Sequence, residues 1–256
     1  MSGILTARFK QGRRTIDFPP TQSIVLDRLR GAPRLSLEPC PGDCRACMEA
    51  CPMEALSHNA QGLLQLDLGR CIFCGACREA CPQGAIEFTD DYRLAVSRYE
   101  DLVMSGGEIR LADALSEEIR KIFGRSLKLR QVSAGGCNGC EVDINVLGTT
   151  VYDLGRFGIQ IVASPRHADA LLVTGPVSEN MRLALLKTWE ATPPPKLAVA
   201  VGACAISGGL FRGHSAVHDG AGALLPLDLY IPGCPPHPLT ILDGLLRLLK
   251  KNLTGQ

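Results

Sequence analysis

The run Leu127-Lys-Leu-Arg-Gln-Val132 leads into Gly135-Gly136-Cys137-Asn138-Gly139-Cys140-Glu141-Val142-Asp143, and this junction decides the fold. The first run alternates as a β-strand does. The second sets two thiols three positions apart, with glycines that let backbone come close and two carboxylates directly after. Two thiols are half of a metal site. Working outward from them, the chain supplies the other half.

Downstream, helical and strand patterns alternate. A helix is predicted over Glu141–Phe157, then strands at Ile159–Val162 and Ala170–Thr174. A second helix runs from Ser178, its expected cap, to Glu190, and Pro193-Pro194-Pro195 stops it. Leu197–Val201 is apolar throughout, as central parallel strands are. Asp228–Ile231 reads as the last strand and Leu239–Leu249 as the last helix. The pattern predicts an α/β fold, a doubly wound parallel sheet of flavodoxin type. Cys137 and Cys140 follow its first strand, Cys204 the strand at 197–201, and Cys234 the strand at 228–231. All four fall past the carboxyl ends of strands, the edge where open α/β sheets place ligands. Gly202-Ala-Cys204 and Pro232-Gly-Cys234-Pro-Pro236 are loops of the kind that wrap a bound group closely.

Upstream, Cys71-Ile-Phe-Cys74-Gly-Ala-Cys77-Arg-Glu-Ala-Cys81-Pro82 fits the C-x2-C-x2-C-x3-C-P run of bacterial ferredoxins at every position. Three thiolates on one tight loop hold three corners of a [4Fe-4S] cubane, and a short helix carries the fourth toward another cluster. A second copy, Cys40-Pro-Gly-Asp-Cys44-Arg-Ala-Cys47-Met-Glu-Ala-Cys51-Pro52, has one extra residue between its first two cysteines. Pro41-Gly42-Asp43 is turn chemistry that lets the insertion bulge; the other reading drops Cys40 from the site. In such repeats the fourth cysteine of each run ligates the other cluster. One cluster is therefore expected on Cys40, Cys44, Cys47 and Cys81, and a second on Cys71, Cys74, Cys77 and Cys51. A third falls on Cys137, Cys140, Cys204 and Cys234. Strands at Gly62–Leu68 and Ala85–Phe88 are expected to pair beneath the first two.

The expected organisation is an extended lead-in over 1–37 and a ferredoxin-like unit over 38–104. A linker over 105–126 follows, with a helix at Leu111–Phe123, and then the parallel-sheet unit over 127–256. Lysine and arginine total 27 against 26 acidic residues, which leaves no charge footprint for nucleic acid. Twelve cysteines with no apolar signal segment point to thiols in a reducing cytoplasm rather than to a disulfide framework. Arg13-Arg14 is followed by Thr15-Ile-Asp-Phe-Pro-Pro20 instead of the apolar run of an export signal. The uncharged run Leu197–Phe211 is 15 residues with three glycines, too short to span a bilayer.

Gly135–Ile144, Ser164–Asp169, Thr174-Gly-Pro176, Gly202-Ala-Cys204 and Tyr230–Pro236 together resemble the small-subunit family shared by complex I (its 20 kDa subunit) and group 4 membrane-bound [NiFe] hydrogenases. Leu68–Cys74 through Leu94-Ala-Val96 resembles the two-cluster ferredoxin subunit of formate hydrogenlyase. The resemblance implies a fused electron-transfer subunit carrying three [4Fe-4S] clusters. Its implied partners are a [NiFe] hydrogenase-like large subunit, an electron-donating or -accepting subunit, and membrane subunits that hold it at the cytoplasmic face. The spacing Cys137-Asn-Gly-Cys140 is that of the hydrogenase branch, whereas complex I subunits carry adjacent cysteines there. The resemblance makes Glu141 a candidate for proton transfer at the subunit interface, with Asp143 as the other carboxylate. The plainer alternative for both is a favourable place in a first helical turn. Arg166-His167 matches a family loop that faces the cluster or the large subunit. His58, His214, His218 and His237 are expected on solvated loops. The rival functions are the equivalent subunit of a complex I-like quinone oxidoreductase or a nickel-free relative, and a zinc-stabilised assembly module.

Overall fold

The structure is a computed structural model and describes residues 2–19, 29–38, 40–41, 44–106, 109–116, 123 and 126–250. The lead-in is not extended throughout. It opens with helix α1 (Ser2–Gln11) and later contributes strand β1 (Pro33–Leu35). Next come α2 (Ala46–Glu49), β2 (Leu56–His58), β3 (Leu64–Asp67), α3 (Ala76–Ala80), β4 (Ile86–Phe88) and β5 (Val103–Met104). Elements recur at an offset of thirty residues, α2 against α3 and β2 against β4, matching the repeat of the cysteine runs.

Strand pairing departs from the sequence expectation. The segments at 62–68 and 85–88 do not pair with each other. β4 pairs antiparallel with β1, while β2, β3 and β5 form a separate three-stranded sheet. The cause is the crossing of the two repeats. β4 follows Cys81, whose thiol lies beside Cys40 and Cys47, so it is carried to the strand that leads the first run. β2 follows Cys51, which lies beside Cys71 and Cys77, so it pairs with the strand that leads the second.

The larger sheet is parallel and five-stranded. It comprises β6 (Leu127–Ser133), β7 (Ile159–Ile161), β8 (Ala170–Thr174), β9 (Leu197–Val201) and β10 (Leu229–Ile231), in spatial order β10-β9-β8-β6-β7. Renumbered within the sheet this is 2-1-3-4-5, the flavodoxin order, whose switch point lies between β6 and β8. Every residue of β8 and β9 is buried, as expected of strands covered on both faces. Leu172 and Val199 pack with Ile144, Ile241 and Leu245 on one face; Leu171 and Val173 pack with Leu185 on the other.

The helices are α4 (Gly139–Val146), α5 (Glu179–Ala191), α6 (Ala203–Ser207) and α7 (Pro238–Leu248). α4 ends well short of the predicted Phe157. Gly148 and the β-branched run Thr149-Thr150-Val151 are poor helix formers, and a 3-10 turn at Leu154–Phe157 takes the remainder. Ser178 does occupy the N-cap of α5, but its hydroxyl makes no capping bond. It stands against Gly135, where an added Cβ would come within 2.7 Å of Ser178 Oγ. Residues 111–116 of the predicted linker helix are not helical, and 117–122 lie outside the described residues. Among the described residues no helix is long and apolar enough to cross a membrane.

The two halves are packed into each other. Val96 bridges Tyr230 of β10 through two backbone hydrogen bonds, and Tyr99 meets the Tyr230 ring edge-on. Ser207 Oγ donates to Gly69 O at 2.8 Å in a buried setting. A buried, paired donor of this kind specifies orientation because breaking it strands a polar group.

Candidate metal centres

The switch point of the sheet is built first by backbone. The loops after β6 and β8 touch through Gly136 and Gly175: a Cβ on Gly175 would fall 2.5 Å from Gly136 N. Gly175 also has φ +82, so no other residue fits without moving the loop. That contact brings the Cys137–Cys140 turn over the strand ends. Asn138 enters it at φ 72, in the left-handed region that Asn tolerates.

Cys204 and Cys234 arrive at the same edge, from the loops after β9 and β10. The four thiols sense one another. Burial pushes the Cys140 thiol up to about 12, with the charges of Glu141, Cys204, Cys234 and Cys137 adding to it. Burial, then Cys234 and Cys137, push Cys204 up to about 11, against a hydrogen bond from the Leu210 N–H. Partial desolvation and the Cys137 charge raise Cys234. Glycine lines the cradle. A Cβ on Gly202 would fall 2.5 Å from Cys140 Sγ, and one on Gly209 would fall 2.6 Å from Cys204 Sγ. Cys137 and Cys234 remain exposed, and so are the apolar residues Val142 on α4 and Leu210 and Phe211 after α6.

The crossed sets upstream also assemble. Burial raises Cys40, with Cys44 and Cys81 contributing, and raises Cys47 to about 11, with Cys81 and Cys40 contributing. Cys40 therefore lies near Cys44 and Cys81; Gly42 and Asp43 lie outside the described residues. Burial likewise pushes Cys71 up to about 12, with Cys77, Cys51 and Cys74 adding to it, against a hydrogen bond from Phe73 N at 3.3 Å. Burial is also the first cause for Cys77, followed among neighbouring thiols by Cys51 and Cys74. Ala55 N donates to Cys51 Sγ at 3.4 Å and Ala85 N to Cys81 Sγ at 3.3 Å, the same bond in each repeat.

These donors fit an iron–sulfur cluster. All are thiols, all are free, and glycine and backbone N–H groups surround them. Among the described residues no group of three or more His, Cys, Asp or Glu is disposed to hold a single metal ion. Thiolates around a cubane each bind a different iron and stand further apart than ligands of one ion.

Glu141 does lie in the first turn of α4, and it is buried there. It is 5% exposed, and its Oε1 accepts from Ser133 Oγ and from Thr174 Oγ1, both at 2.6 Å. Ser133 and Thr174 are register partners at the carboxyl ends of β6 and β8, so the carboxylate bridges the switch point. Sequence reading missed these two hydroxyls. The available signal was a hydroxyl residue closing each of two neighbouring strands just before a glycine turn. Asp143 instead lines a cavity of about 500 Å³ with Cys234, Pro235 and His237, and burial raises its carboxyl.

The remaining candidates separate from the thiols. Arg166 and His167 are exposed on a 3-10 turn just before β8, hence at the amino-end edge, opposite the cysteine loops. His214 is on an exposed loop, and His218 Nε2 pairs with Glu179 at 2.5 Å. His58 and His237 are not on solvated loops. His58 is part of β2, its Nε2 buried without a hydrogen-bond partner. His237 caps α7, its Nδ1 accepting from Leu239 N at 3.1 Å, and burial lowers its pKa.

A flavodoxin-order sheet whose ligand edge carries thiols, joined to a ferredoxin repeat, defines an iron–sulfur electron-transfer protein. Residues 64–87, which hold Cys71, Cys74, Cys77 and Cys81, match the 4Fe-4S binding domain; residues 137–248 match the family described as NADH ubiquinone oxidoreductase, 20 Kd subunit. The chain belongs to this 20 Kd subunit family. It is 41% identical over 134 residues to a probable membrane-bound hydrogenase subunit of Pyrococcus furiosus, covering 52% of this chain and 80% of that one. It is 44% identical over 131 residues to formate hydrogenlyase subunit 7 of Escherichia coli, covering 51% of each chain, so it spans about half of that relative. An NADH-quinone oxidoreductase subunit of Akkermansia muciniphila is 44% identical over 122 residues, covering 47% of this chain and 63% of the relative.

Proposed function

We propose that this chain is the electron-transfer subunit of a membrane-bound, energy-converting [NiFe] hydrogenase or formate hydrogenlyase-type complex, held peripherally at the cytoplasmic face. Three [4Fe-4S] clusters are assigned: to Cys40, Cys44, Cys47 and Cys81; to Cys71, Cys74, Cys77 and Cys51; and to Cys137, Cys140, Cys204 and Cys234. Residues 38–104 form the unit for the first two, and 127–256 the unit for the third. Bound clusters of this kind supply one-electron carriers whose potentials respond to hydrogen bonds and exposure. The observation that carries the reading is the convergence of four thiols from three strand ends on the switch point.

The chain's own residues shape that centre. Gly202 and Gly209 let backbone lie against the thiols, and the Leu210 N–H points at Cys204. The edge with exposed Cys137 and Cys234 is the proposed face for the large subunit, and exposed Val142 on α4 and Leu210 and Phe211 after α6 supply apolar surface for it. The likeness to a quinone oxidoreductase subunit supports a second reading, an equivalent subunit of a complex I-like or nickel-free complex. The C-x2-C spacing at Cys137 favours the first. Protein purified without oxygen is expected to hold about twelve irons with matching labile sulfide. About eight irons would remove one assigned site, and zinc in their place would end the redox reading.

Glu141 is proposed to move protons beside this centre. A glutamine there keeps a carbonyl oxygen for both hydroxyls but cannot take up a proton. Glu141→Gln is therefore expected to preserve iron content and slow proton-coupled turnover of the assembled complex by on the order of a hundredfold. Unchanged turnover would make the carboxylate a strand-end brace only.

A further inference from the structure

Arg30 reaches the second cysteine run from a distant anchor, 43 positions before Phe73. Its backbone is pinned on the way to β1: Gly31 N donates to Thr89 O and Ala32 N to Asp91 O, both at 2.7 Å. A side chain at Gly31 would collide there, since an added Cβ would fall 2.2 Å from Asp91 O. From this anchor Arg30 Nη1 donates to Phe73 O at 3.3 Å. The guanidinium lies along Gly75, where a Cβ would stand 3.1 Å from Nε and 3.3 Å from Cζ.

Gly75 is also part of the wall around the second thiol set. It lines one cavity with Cys51, Cys71, Cys74 and Cys77, so Arg30 stands a single glycine away from that cavity. No acid neutralises it. Among the described residues Arg30 has no ion-pair partner, and Asp91 beside its anchor is taken up by Arg93 at 2.6 and 2.8 Å. Arg30, Ile72 and Phe73 line a further cavity with Cys234, so the space holding this charge is walled by loops of both the second and the third sets.

We infer that Arg30 tunes the reduction potential of the centre at Cys71, Cys74, Cys77 and Cys51, an inference that rests on the assignment of a cluster to those thiols. A thiolate-held cluster is net negative and becomes more so when it accepts an electron. A guanidinium stays charged at any working pH. Placed one glycine away, it favours the reduced form and raises the potential of this centre above the value its thiols alone would give.

The test is a redox titration of the full, cluster-loaded chain followed by electron paramagnetic resonance. The step belonging to this centre is the one whose signal Cys74→Ser changes. Arg30→Gln keeps a donor for Phe73 O and removes the charge. It is expected to disfavour that reduction by about threefold, a shift of about 30 mV to lower potential, and to move the other two steps less. Arg30→Lys retains the charge and should keep most of the wild-type value. Because Arg30 is exposed, the gap between wild type and Arg30→Gln should shrink as salt is raised. Iron content should be the same in wild type and both Arg30 variants, since Arg30 supplies no ligand. An unmoved step in Arg30→Gln, an equal shift in Arg30→Lys, or iron lost from Arg30→Gln overturns the proposal. A wild-type protein without iron at this site would overturn the cluster assignment as well, a result distinct from an unmoved step at a loaded site.

Discussion

Gly202→Ala is expected to empty the centre at the parallel sheet while leaving the ferredoxin repeat loaded. Gly202 has φ +89, and its added methyl would lie 2.5 Å from Cys140 Sγ, far inside van der Waals contact. The backbone there cannot retreat easily. Gly202 N donates to Ile231 O at 2.8 Å and Ala203 N to Gly233 O at 2.9 Å, which bind this turn to the loop carrying Cys234. Cys140 must give way and leave its three partner thiols. Iron should drop from about twelve to about eight, with electron transfer to a large subunit lost. Gly222→Ala serves as the control, because its Cβ would meet nothing closer than Leu227 Cδ1 at 3.6 Å. A Gly202→Ala protein with full iron would show that the thiols are not held as assigned.

Stripping iron with a chelator is expected to unfold the ferredoxin half and spare the five-stranded sheet. Strands β1 to β5 are two to four residues long and lie in sheets of two and three strands, which do not stand alone. Their core includes Cys47, Cys71 and Cys77 packed among Leu64, Leu66 and Leu68, so removing the metal removes the centre of the core. Burial holds Cys71 near 12 and Cys47 near 11, so without metal these side chains are neutral thiols with no attraction to replace the bonds lost. Structural zinc contributes about 10 kcal/mol or more to the folding of small metal-bound domains, and a thiolate-held cluster in this core is expected to act on that scale. β8 and β9 depend on apolar packing from both faces instead. Amide exchange should therefore accelerate by about a thousandfold or more in β2 and β3, equivalent to about 4 kcal/mol, while β8 and β9 stay protected. Continued protection of β2 and β3 would show that this half folds on its apolar core alone.

Much of this architecture is legible in the chain. The apolar runs at 170–174 and 197–201 are buried strands because no amphipathic face restricts them. The cysteine spacings are rigid chemistry, and their crossed grouping follows from the ferredoxin pattern. The errors share a cause. The helix expected over 141–157 ends at Val146, where local propensity fails, although apolar residues continue at helical spacing into a 3-10 turn. The strands at 64–67 and 86–88 do not meet, because their partners are chosen by where the crossed cysteines carry them. Of the two expectations for Arg166 and His167, the one toward the cluster is not met, because their turn stands at the opposite sheet edge from the thiols.

By itself the sequence determined the number and spacing of the thiols, the parallel sheet, and the strand-end edge after which Cys137, Cys140, Cys204 and Cys234 fall. These depend on local spacing and strand polarity, which are written residue by residue. Only the tertiary structure decided that Glu141, in the first turn of α4, is a buried bridge between two strand ends. Its two hydroxyl partners come from strands 41 residues apart at their closing positions, Ser133 and Thr174, and parallel register alone sets them side by side. The same holds for Gly202. Its need to be glycine comes from a sulfur on another loop, and no local pattern records a contact made across the sheet.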